Sequence, residues 1–147
     1  MTDNPMTGQA LSVLHMIVET RELLFRVHGI LNARNDEMAV LQADAWQTIN
    51  ARFQLVVSAL ADPDYLLAQE DLLTEYGLEG PEVEFRRAQF DRVTSCCQSQ
   101  QELAKALQTS ESILRSLSNF PTIGPTTHAI ADFIAATARE IKKPLSF

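Results

Sequence analysis

The sequence predicts an all-α fold, an antiparallel bundle of four to five helices, and three observations predict it. Apolar residues recur at three-, four- and seven-residue spacings along most of the chain, the pattern of helical faces. No segment carries the two-residue alternation of a strand or the turn signal of a hairpin. The 5 Gly and 6 Pro fall mostly into a few clusters, which leaves long uninterrupted stretches between them. With 147 residues, 46% of them hydrophobic and 21% charged, the chain can bury a core and is too apolar for intrinsic disorder. A single domain over residues 1–147 is expected, with a flexible N-terminus at 1–9 and a tail at 144–147.

The first helix is expected over residues 10–34, with Ala10, Leu14, Ile17, Leu24 and Leu31 on one face. Gly29 lies inside it and weakens it by about 1 kcal/mol relative to Ala. Asn35-Asp36 is a break, and Asp36 is placed to cap the next helix with Glu37 near its positive end. That second helix, residues 37–60, carries the stripe Trp46, Ile49, Phe53, Val56 and Leu60. It stops at Asp62, because the residue before a proline is steered away from helical dihedrals. A shorter helix over 64–76 pairs Leu66 with Leu67 and Leu72 with Leu73, and Gly77 suits the left-handed position that ends it.

From 82 to 118 there is neither Gly nor Pro. Val83, Phe90, Cys97 and Ala104 are spaced by seven, and Val93, Leu107 and Leu114 continue a second such row, which resembles a heptad seam. One long, bent helix of roughly 55 Å is expected at about 1.5 Å per residue. Two helices are the competing reading, because Ser99 and Glu102 fit a capping box. Pro125 opens the last helix, which runs to residue 143 with Ile130, Phe133, Ile134, Ala138 and Ile141 as its buried stripe.

Charge is distributed unevenly. The net charge of −7 argues against a nucleic-acid partner, which needs a positive excess. By segment, residues 1–35, 36–80, 81–118 and 119–147 sum to 0, −8, 0 and +1. Asp62, Asp64, Glu70, Asp71, Glu75 and Glu79 fall in a stretch with no Lys or Arg. A solubilising face is the plain reading of such a stretch, and a dock for a basic partner surface is the functional one. Calcium binding fails on register, since Pro63 intervenes and Leu67 stands where the loop requires glycine.

No window is long and apolar enough for a transmembrane helix, so no membrane association is expected, and the polar N-terminus lacks a secretory signal. Cys96 and Cys97 are adjacent, a spacing that disfavours an unstrained disulfide, and a reducing cytoplasmic setting follows. Arg92, one turn before Cys96, favours a thiolate only modestly.

No catalytic constellation, cofactor motif or zinc spacing is present. His15, Glu19 and Glu22 share one helical face and make a weak metal-carboxylate candidate, without the Glu-x-x-His of di-iron bundles. His28 reads as a core-edge histidine and His128 as a neutral imidazole in the first turn of the last helix. Trp46, Phe53, Phe85, Phe90 and Phe133 could line an interhelical pocket for a small molecule. The reading that fits best is a non-enzymatic protein-interaction module, a regulator, adaptor or chaperone. It would dock through Tyr65, Leu66, Glu70, Asp71 and Glu75, and a homodimer is expected through the long helix or through Arg86 and Arg87 meeting the acidic segment of another copy.

Overall fold

The computed structural model describes residues 5–33, 43–95 and 99–142, and it is all-α. Five long helices, α1 (Pro5–Ala33), α2 (Ala43–Leu60), α5 (Gly80–Ser95), α6 (Gln100–Ser116) and α7 (Gly124–Lys142), pack with two short ones, α3 (Pro63–Ala68) and α4 (Glu70–Glu75). Among the described residues no helix is long and apolar enough to cross a membrane.

The buried face of α1 is Val13, Met16, Ile17, Thr20, Leu24 and Val27, a three-four repeat that includes the expected Ile17 and Leu24. Thr20 is accommodated there because its hydroxyl donates to the Met16 carbonyl at 2.7 Å. The stripes of α2 and α7 are as expected: Ile49, Phe53, Val56 and Leu60 are buried, as are Ile130, Ile134, Ala138 and Ile141, with Trp46 and Phe133 packed at the core edge. Asp36, Glu37, Cys96, Cys97, Lys143 and the tail lie outside the described residues.

The expectation of one helix over 82–118 is corrected. The chain breaks between α5 and α6, and Ser99 supplies the reason. Its backbone is extended (φ −125°, ψ 163°), and its Oγ accepts the Glu102 amide at 3.1 Å and donates to Glu102 Oε1 at 3.1 Å. This satisfies an amide that would otherwise be orphaned at a helix start. The two helices then fold back on each other, bringing Arg86 near the start of α5 to Ser116 at the end of α6. Val83, Phe90, Ala104, Leu107 and Leu114 of the supposed seam are buried within the single chain, where α5 and α6 pack on α1 and α6 also packs on α7. These five residues therefore need no second copy to cover them.

Helix directions follow from the cross-links. Arg115 near the end of α6 bonds Asp132 in the first half of α7 at 3.0 Å, so these two run antiparallel. Ser12 donates to Glu84 at 2.6 Å and His15 bonds Asp91 at 2.7 Å, so α1 and α5 run in the same direction. α2 returns the chain between these parallel helices, and α3–α4 is a short crossover at one end. It carries the chain from the end of α2 to the start of α5, across the same end of the bundle as the α6–α7 turn.

The single helix expected over 64–76 is likewise two. Gln69 ends α3 and begins α4 with φ −106° and ψ 24°. The bend lets Leu66, Leu73 and Leu78 all reach the core as the segment curves over the bundle end.

A candidate interaction surface on the crossover

The crossover is built by local rules. Asp62 caps α3, its Oδ1 accepting the Asp64 amide at 3.0 Å, and Pro63 takes the first helical position, where a missing N–H is harmless. α4 ends in a Schellman motif: Leu78 N–H donates to the Leu73 carbonyl at 2.8 Å and Gly77 N–H to the Thr74 carbonyl at 3.3 Å. Gly77 has the positive φ of 64° that the motif needs, and the leucines on either side of it, Leu73 and Leu78, are both buried.

Polar ties hold this segment to the rest of the bundle. Tyr65 Oη donates to the Pro121 carbonyl, and Asn119 Nδ2 donates to Tyr76 Oη, both in the α6–α7 turn. From α5, Arg86 Nη1 donates to the Tyr76 carbonyl at 2.6 Å and Nη2 reaches Ser116 Oγ at 3.4 Å. Burial raises the Tyr65 hydroxyl above its ordinary range, partly opposed by hydrogen bonding to the Ile123 backbone. Burial also lowers the Arg86 guanidinium, partly offset by the charge of Glu82.

The outer side is acidic. Asp62, Asp64, Glu70, Asp71 and Glu75 are exposed, while Glu79 is half-buried and accepts the Thr74 hydroxyl. None of the six forms an ion pair among the described residues. Of the contact residues expected from sequence, Glu70, Asp71 and Glu75 stand together on this surface. Tyr65 is half-buried and engaged with Pro121, and Leu66 is corrected to a core residue at 1% exposure. Its neighbour Leu67, 48% exposed, is the apolar residue the surface offers instead. The sequence held the signal for it as the pair Leu66-Leu67: adjacent helical residues diverge by about 100°, so one of them turns outward.

The other candidates are dispersed. Phe53 and Phe90 are fully buried in the packed core and Phe85 is 63% exposed, so the five aromatics expected to line a pocket do not share one. Trp46 instead stacks beside His28 at 5.9 Å and meets Phe25 at 5.5 Å, lining a cavity of about 260 Å³ with Arg21, Glu22, Phe25 and Asn50. His15, Glu19 and Glu22 do line one groove, of about 340 Å³, opposite Asp91. His15 is paired there with Asp91, and no three His, Cys, Asp or Glu among the described residues cluster as metal ligands. His128 is exposed and 3.5 Å from Asp132.

The basic patch expected at Arg86 and Arg87 is not free. Arg86 is half-buried on Tyr76, and Arg87 pairs with Glu84 at 3.0 Å. Comparison with protein-family models, curated proteins and solved structures finds no match, so the reading of function rests on the geometry of this chain.

Proposed function

We propose that this protein is a non-enzymatic helical interaction module whose α3–α4 crossover docks a basic surface of another protein. One observation carries the reading. The crossover is anchored through Leu66, Leu73 and Leu78, and it turns five exposed carboxylates outward with no cation among the described residues to neutralise them. Asp71 and Glu75 lie one turn apart and repel, and a basic partner relieves that repulsion. Leu67 supplies an apolar contact within the charged surface.

The proposed partner is a different protein. This is favoured over a homodimer by the burial of Val83, Phe90, Ala104, Leu107 and Leu114 and by the engagement of Arg86 with Tyr76 and of Arg87 with Glu84. A cytoplasmic setting is part of the proposal and is supported by the adjacent cysteines.

The test is a pull-down at low ionic strength with the native chain and with the triple variant Glu70→Lys, Asp71→Lys, Glu75→Lys. Partners retained by the native chain and lost by the variant support the reading. Retention of every partner by the variant overturns it, and gel filtration at low and high salt decides separately whether a second copy is among them.

A further inference from the structure

A second surface shares Arg86 with the crossover's anchoring bonds. The antiparallel pair α5–α6 carries an open groove of about 420 Å³ lined by Arg86, Gln89, Lys105, Gln108, Thr109, Ser112 and Ile113. Ile113 is buried and forms an apolar floor, and every other lining side chain can donate a hydrogen bond. No carboxylate lines it.

The absence of a carboxylate distinguishes this groove from the cations around it. Arg87 is held by Glu84, and Arg115 by Glu111 at 2.8 Å and Asp132 at 3.0 Å. Arg86 and Lys105 form no ion pair among the described residues. Glu82, a turn earlier on α5, attracts Arg86 without lining the groove. The side chains of Gln89, Gln108 and Ser112 make no hydrogen bond to another described residue, so their donors remain available. Arg86 is pre-positioned by its bond to the Tyr76 carbonyl, which reduces the ordering that a ligand would have to impose.

We propose that the α5–α6 groove is a binding site for a small, multiply charged anion of the phosphate class, held between Arg86 and Lys105 and hydrogen-bonded by Gln89, Gln108 and Ser112. The Arg86 N–H groups not used on Tyr76 and Ser116 and the Lys105 ammonium donate to tetrahedral oxygens from different directions, and uncharged donors satisfy the remaining oxygens. This site is independent of the acidic crossover surface, since no carboxylate of that surface lines it.

The probe is inorganic pyrophosphate, titrated into the isotope-labelled full chain at constant ionic strength and followed by amide NMR. Saturable shifts are expected at Gln89, Lys105, Thr109 and Ser112. Lys105 is exposed and makes no side-chain bond within the described residues, so Lys105→Gln leaves the fold intact. That variant should weaken binding roughly threefold to tenfold. Arg92→Gln, on α5 outside the groove, should leave binding unchanged. Linear, unsaturating shifts, shifts elsewhere on the surface, or equal affinity in Lys105→Gln would overturn the proposal.

Discussion

Tyr65 on α3 donates its hydroxyl hydrogen bond to the carbonyl oxygen of Pro121, 56 residues away in the α6–α7 turn. The bond ties the acidic crossover to the hairpin that closes the bundle, and it makes the placement of the carboxylates a property of the whole fold. Tyr65→Phe keeps the ring and leaves that carbonyl without its phenol donor, so it should lower stability by about 1 kcal/mol near neutral pH. Because burial raises the folded-state value of this hydroxyl above its ordinary 10.0, its contribution is complete below pH 10 and is lost as pH rises through the raised value. The stability gap between native chain and variant should therefore shrink above pH 10 in denaturant titrations. A gap that is absent at pH 7, or constant into the alkaline range, would show that the bond contributes nothing.

Ser99 divides what composition reads as one helix. Ser99→Ala removes the acceptor for the Glu102 amide and should destabilise the fold by about 1 kcal/mol, whereas Ser99→Asp keeps an acceptor and should be near neutral. Amide exchange at Glu102 and Leu103 reports this directly. Unchanged protection in the alanine variant would mean that tertiary packing alone sets the start of α6.

Two glycines respond in opposite directions to the same change. A Cβ on Gly29 meets nothing within 4 Å, so Gly29→Ala should stabilise α1 by about 0.5–1 kcal/mol. A Cβ on Gly124 would lie 2.3 Å from the Ser118 carbonyl oxygen, which is backbone in the α6–α7 turn and cannot swing aside. Gly124→Ala should lower stability by about 2 kcal/mol or more, seen as a drop in Tm. Equal effects at the two positions would contradict the close approach at the turn.

On the acidic surface, Glu75→Lys replaces a repulsive pair with Asp71 by an attractive one and places a cation at the C-terminal end of α4. It should stabilise the isolated protein by about 0.3–1 kcal/mol, more at low salt than at high salt. A stabilised variant that binds partners less well separates the role of the charge from the integrity of the fold. A destabilised one would show that Glu75 serves the local structure.

The helical faces of α2 and α7 were legible because apolar spacing reports burial directly, and Ile49, Phe53, Ile130 and Ile134 lie where their spacing put them. The break at Ser99 was legible only as an alternative, since a seven-residue row continues in register across a bend. The acidic block was visible as a count of residues. Its exposure could not be read from the sequence, because a carboxylate's environment depends on which side of α3–α4 is buried. The α5–α6 groove was not visible at all: Arg86 read only as half of a basic pair with Arg87, and Lys105 and Ser112 are unremarkable until two helices fold against each other.

By itself the sequence determined that this chain is helical, which faces of its longer helices are apolar and that one segment carries the excess negative charge. These are properties of local spacing and composition. The tertiary structure decided that Val83, Phe90, Ala104, Leu107 and Leu114 of α5–α6 are covered within the chain, that Leu66 rather than Leu67 is buried, and that α1 and α5 run in the same direction. These depend on contacts such as Ser12 with Glu84 and Tyr65 with Pro121, between residues far apart in the chain, and no local pattern encodes them.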